Sequence, residues 1–170
     1  MIDIQSILNG IISTLNEDLT GVKVIKNYNI KKFPPYPYMT VGVTTGYIAE
    51  NATDKPNITM SYNPETDKGL YMRHENPQMT FSLSVFSDDE SQASQVCTNA
   101  IAAFKFLSLE KLNEKGIIPL DVTSAQNRTS LLEVDYVYQF GFDVRIRVES
   151  ILEKEYDTTK SISLNDLIIE

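Results

Sequence analysis

The sequence predicts an α+β fold: one mainly antiparallel, twisted sheet backed by two helices, with a projecting β-hairpin arm and an extended C-terminal tail. Three observations predict it. Residues 4–19 carry an apolar stripe at helical spacing. The stretch NPQMTFSLSVFSDDESQASQVCTNAIAAF, residues 76–104, changes from period two to period three or four in its middle. From Leu132 to Val148 every even position is apolar. Strands in a run with a helix at either side are the pattern of a sheet with helices gathered against it.

In order along the chain, Ile4, Ile7, Leu8, Ile11, Ile12, Leu15 and Leu19 form the stripe of the first helix. Asp3 suits its N-cap and Gly21 the left-handed position that follows a helix. A short strand is predicted over 22–28. The run FPPYPY then forces an extended path, because proline fixes φ and disfavours helix in the residue before it. Met39, Val41 and Val43 mark one face of a strand ending near Ile48. Residues 49–78 are polar and rich in Asn and Pro. Within them ITMSY and LYMRH flank NPETDKG, which reads as a hairpin arm with a wide turn. A two-stranded hairpin is marginal in water, so the arm is expected to order on assembly. Met60, Tyr62, Leu70, Tyr71 and Met72 are its apolar anchors.

Met79, Phe81, Leu83 and Val85 line one face of the next strand. Ala93, Val96, Cys97, Ala100, Ile101, Phe104 and Leu107 continue as a helical stripe. Between them Ser87 and Glu90 have capping-box spacing, and Asp88 and Asp89 add negative charge where the helix dipole is positive. The acidic turn SDDE therefore reads as a cap, not a metal site. Two strands are predicted after Gly116, over 117–125 and 131–149, with Gly141 marking a bulge or bend in the second. Arg145 and Arg147 share its polar face with Asp143 and Glu149. They either pair with carboxylates on adjacent strands or reach the next subunit of an assembly. Residues 1–155 thus form one domain with its arm at 49–78. Residues 156–170 form a docking tail, whose apolar cluster includes Leu164, Leu167, Ile168 and Ile169.

The 170 residues are 42% hydrophobic and 22% charged, enough to bury about 70% of the unfolded surface. A net charge of −8 argues against a nucleic-acid-binding surface. One cysteine excludes an internal disulfide and a cysteine-based zinc site, and one histidine excludes multi-histidine metal sites. His74 sits in the arm beside Arg73 and Glu75 and reads as a solvated residue. Cys97 falls on the apolar helical stripe and reads as a small buried hydrophobe. No glycine-rich phosphate loop occurs. Acidic and polar residues interrupt the apolar runs, so no membrane segment or leader is expected. Without secretion, the N-x-T triplets at Asn51, Asn57 and Asn127 carry no meaning. No residue pattern asks for a reaction or a cofactor.

The segment PQMTFSLSVFSDD leading into an Ala-rich helix, then GIIPLDV and NRTSLLEVDYVYQFGFDVRIRVE, resembles the bacteriophage neck/tail terminator family. The Pro-Tyr-Met-Thr entry to the second strand also fits, and the resemblance covers residues 4 to 150. Its motifs are structural. It implies a non-enzymatic ring, usually a homohexamer, that caps the tail tube, stops its polymerisation and forms the joint to the neck. The implied partners are further copies of the chain, the tail tube protein, and a neck/connector or sheath protein. DNA would be only a transient passenger through the lumen, whose wall is expected to be acidic or neutral; no metal, membrane or small-molecule substrate is implied. The implied location is the virion tail or neck, or a phage-tail-like particle, after synthesis in the host bacterial cytoplasm. On this reading Arg145, Arg147, Met60, Tyr62, Leu70, Tyr71, Leu167 and Ile168 are the expected inter-subunit contacts. Three other readings stay open: another ring-forming neck or tail-completion protein, a small cytosolic domain holding a ligand in the curve of its sheet, and an enzyme whose site the residue pattern does not reveal.

Overall fold

The structure, a computed structural model, describes residues 2–27, 33–49, 57–131 and 136–157. The expected α+β architecture is present. Helix α1 (Ile4–Asp18) starts at Asp3, whose carboxylate accepts from the Gln5 and Ser6 amides. Gly21 then takes φ +76°, a backbone state that costs a glycine little. Leu8, Ile11 and Leu15 turn inward. The Asn16 side chain bonds both the amide and the carbonyl of Val24 at 3.0 and 2.9 Å. That clamp sets β1 (Lys23–Lys26) at the sheet's edge, parallel to β2 (Tyr38–Ile48).

The hairpin β3 (Asn57–Asn63) and β4 (Lys68–Glu75) follows, then β5 (Gln78–Ser87). Burial along β5 alternates perfectly, with Met79, Phe81, Leu83 and Val85 fully inside. The cap of α2 (Glu90–Ala102) is real but lies two residues later than expected. Asp89, not Ser87, is the N-cap and accepts from the Gln92 amide at 2.6 Å. Ser87 is buried in the last position of β5, and its hydroxyl receives the Asp89 amide instead.

The stripe expected to run to Leu107 is broken. Residues Ala103–Leu107 form a π-helical turn, closed by the Ser108 amide on the Ala103 carbonyl five residues back. The extra residue in the turn rotates the following side chains. Phe104 stays in the core while Phe106 and Leu107 face solvent, 78% and 64% exposed. A third helix, α3 (Leu109–Glu114), was not expected; Leu112 anchors it.

Then come β6 (Ile118–Val122), β7 (Gln126–Asn127), β8 (Ser130–Leu131), β9 (Tyr136–Arg147) and β10 (Ser150–Asp157). The larger sheet has seven strands with the path β1-β2-β5-β9-β6, and β7 and β8 also pair with β9. Its pairings are antiparallel apart from β1 with β2. Helices α1 and α2 cover its inner face over Met39, Val41, Phe81, Leu83, Phe142 and Val144.

Three expectations about the second half are corrected. Gly141 makes no bulge, since β9 runs past it in unbroken register with β5. A Cβ there would lie 2.7 Å from the Arg128 guanidinium and 2.8 Å from the Leu83 carbonyl oxygen, so close approach explains the glycine. The single strand expected over 131–149 is divided between two, the end of β8 and β9, which pair antiparallel with each other; its residues 132–135 lie outside the described residues. The arm is not two-stranded: β10 adds to β4, giving a three-stranded sheet in the order β10-β4-β3. The argument from a marginal two-stranded hairpin therefore does not apply. Tyr156, the expected first residue of the tail, is a member of β10 opposite Gly69.

The two sheets share one ribbon. From Lys68↔Asp157 to Ser87↔Tyr138, the residue numbers of each cross-strand pair add to the same total, 225. Only Asn76-Pro77, facing Val148-Glu149, interrupts the pairing, and there the Val148 amide still reaches the Pro77 carbonyl at 3.1 Å. β4 thus continues β5, and β10 continues β9, without a change of face.

Candidate interaction surfaces

Among the described residues no group of three or more His, Cys, Asp or Glu is placed to hold a metal ion. No helix there is long and apolar enough to cross a membrane. Cys97 is fully buried, and burial pushes its thiol up to about 11, against a weaker opposing pull from Arg128; it is no nucleophile at neutral pH. His74 is half-buried on the arm, 3.7 Å from Glu149.

Asp18, at the end of α1, is a carboxylate held by two side chains of the following elements. Lys111 of α3 and the Ser108 hydroxyl both donate to it, and in that order they hold it below its ordinary 3.8. Its stabilisation is therefore present above pH 3.8 and lost as pH falls through the lower folded-state value. Asp18→Asn is expected to lower stability by about 1 kcal/mol at neutral pH. The gap from the parent should close on acidification below 3.8, in thermal unfolding followed by circular dichroism. A gap unchanged in acid would assign the effect to packing.

The described residues also expose apolar surface in three patches. The first patch is on the arm. Side chains alternate across a strand and cross-strand partners share a face, so the registers collect Ile58, Met60 and Tyr62 with Tyr71 and Arg73, and with Leu152, Lys154 and Tyr156. Ile58, Met60 and Tyr62 are 52%, 66% and 56% exposed, and every residue of β3 is open to solvent. The Tyr156 ring lies across Gly69, where a Cβ would come within 1.9 Å of it, and packs on Tyr71 at 4.2 Å between centroids. Tyr62 reaches over the turn to Asp67 at 2.7 Å.

The second patch is Phe106 and Leu107 on the π turn. Leu107 borders a groove of about 280 Å³ shared with Asp18, Leu19, Val22, Val96 and Asn99. The third is Phe33 and Tyr36, stacked towards Tyr38, which in turn stacks on Phe86 at 5.0 Å.

Of the residues expected at contacts, Met60, Tyr62 and Tyr71 share one face of the arm, and Leu70 lies on the other. Arg145 already has a partner inside the chain, Asp121 on β6 at 3.6 Å. Arg147 stands in the ladder between Gln78 and Ile118. Leu167 and Ile168 lie outside the described residues. Missed in the sequence were Ile58, Arg73, Leu152, Lys154 and Tyr156 on the arm, and Phe106 on the π turn. The signal for Leu152 and Tyr156 was present: the apolar series at even positions resumes there after Val148 and Ser150.

Residues 3–170 match the family described as phage neck terminator protein. No curated protein matches the chain.

Proposed function

The chain belongs to the phage neck terminator family, and from that premise we propose that it closes the head-proximal end of a tail tube as a ring, ending tube growth and forming the joint to the neck. Membership makes it a structural bacteriophage protein of the neck. The ring, the capping of the tube and the named partners are the finer part of the proposal. The observation that carries it is the extent of the match, which runs through body, arm and C-terminal segment alike.

Two physical features support it. A ring built from repeated head-to-tail contacts needs two different complementary surfaces on each subunit. The arm face and the Phe106–Leu107 groove are two such uncovered surfaces, on different elements. Arg145, paired within its own sheet, is the weaker contact candidate, and Arg147 is the better of the two arginines. A chain of net charge −8 also suits a lumen wall that lets DNA slide without sticking.

Tails assembled in the absence of the gene test the proposal. Electron micrographs should show tubes of uncontrolled length that do not join heads. Tubes of normal length without heads would instead favour a tail-completion role, and normal head-joined tails would reject both.

A further inference from the structure

The outer edge of the arm is a strand that matches itself. β3 ends the smaller sheet beyond β4, and among the described residues no strand pairs with its far side. Such an edge presents a row of amides and carbonyls that another chain can take up. The other edges carry residues that discourage this. Lys23 and Lys26 stand in β1, Pro119 and Asp121 in β6, and Glu153, Lys154, Glu155 and Asp157 in β10. β3 has none of them. Its sequence is NITMSYN, without a charge or a proline, and every residue is exposed.

From either end, that strand has the same chemical order. Antiparallel pairing with a second copy, about a two-fold axis at Met60, sets like against like. Met60 meets Met60, Thr59 meets Ser61, Ile58 meets Tyr62 and Asn57 meets Asn63. Hydroxyl opposes hydroxyl and a β-branched side chain opposes an aromatic ring, both favourable cross-strand pairs. A pairing displaced by one residue would set Met60 against Ser61 and join one copy's apolar side to the other's polar side. Displacement by two keeps the sides but leaves two residues of each strand unpaired. In register, Ile58, Met60 and Tyr62 of both copies form one apolar side, continued on each by Tyr71 and Tyr156.

We propose that β3 pairs antiparallel with β3 of a second copy about an axis at Met60, so that free chains associate in twos through the arm's edge. The contact presents the same surface from both copies and consumes the open edge, so it stops at two. For the same reason it is not one of the head-to-tail joints of a ring. It concerns chains before assembly and stands whether or not the ring does. A strand of seven residues in a sheet about 10 Å thick gives a contact of about 230 Å² on each copy. A stable globular interface takes about 800 Å² from each side. The pair is therefore weak and reversible.

Disulfide trapping in the full chain under a mild oxidant tests it; Cys97 is buried and stays silent. Only a residue on the axis faces its own copy. Directly opposed residues have Cα atoms about 4.5–5.5 Å apart, within reach of a disulfide. Ile58 and Tyr62 lie on the same face as Met60 and are comparably exposed, but each stands about 13 Å along the strand from its own copy. Met60→Cys should therefore cross-link at least about tenfold faster than Ile58→Cys or Tyr62→Cys alone. Mixing the Ile58→Cys and Tyr62→Cys chains should recover the fast rate, because those positions oppose one another. In sedimentation, the parent's mass should rise towards two chains with concentration. Thr59→Lys and Ser61→Lys together set like charges opposite each other and should abolish that rise, with thermal unfolding unchanged. Equal trapping rates at 58, 60 and 62 overturn the proposal, since they mark random collision. A parent that stays a single chain at about millimolar concentration overturns it. Pairs that persist in the double-lysine chain overturn it too and give the self-contact to another surface.

Discussion

Phe142→Ala is expected to lower the unfolding free energy by about 3–5 kcal/mol, the range for deleting a buried aromatic ring. Phe142 is fully buried in β9, opposite Leu83, and meets the edge of Phe104 at 6.0 Å between centroids. Its surroundings have little freedom to collapse into the vacated space. On one side stands the most extensively paired strand of the sheet, and on the other the π turn, which is tied down by the Ser108 amide. With typical domains stable by about 5–15 kcal/mol, the variant should sit close to its threshold. Urea unfolding of the variant and of Phe104→Ala, with an unchanged slope, is the measurement. The double variant should cost less than the two singles together, because the rings share one void. A loss below about 1.5 kcal/mol would mean that the ring does not occupy a closed core.

Replacing residues 57–74 with a short Gly/Ser link is expected to abolish capping of tails while leaving the body folded. Among the described residues the core cluster contains none between Val41 and Met79 and none after Val148, so the described strands of the arm contribute nothing to it. The cost to the body should stay small, since closing a somewhat different loop changes the entropy by only about 0.6 kcal/mol per doubling of length. β10 loses its ladder partner in the variant, so residues 150–157 should exchange freely. Complementation of a gene deletion reads the functional part, and thermal unfolding reads the structural part. Tails of normal length from the shortened protein would show that the arm has no part in termination.

How much was legible follows from what each signal depends on. The alternation of Met79–Val85 and the stripe of α1 were readable because burial on one side writes a period into the sequence. The π turn was not. One inserted residue changes the phase of a helix without changing its composition, so Leu107 kept its place in an ideal stripe that the backbone does not follow. Gly141 was recognised as special, but the reason is a long-range approach by Arg128 and Leu83 that no local window contains. Composition hid β10, since Glu153, Lys154 and Glu155 look like linker until their register with β4 is known. The contact surfaces were legible as single apolar residues of the arm; their gathering on one face needed the ladder.

The shared ribbon also has a mechanical meaning. A pull along the arm loads its cross-strand hydrogen bonds in shear, many at once, because they lie perpendicular to the strands. Peeling them one by one would take a sideways force. Tension applied at the Pro64–Asp67 turn is therefore carried down two continuous strands into the pair that holds Phe81 and Phe142. The compliant point is Pro77, which has no amide to donate and faces Val148 across a single 3.1 Å bond. The arm is a stiff lever on a hinge two residue pairs wide, so sideways load bends it there before the body's own ladder is disturbed.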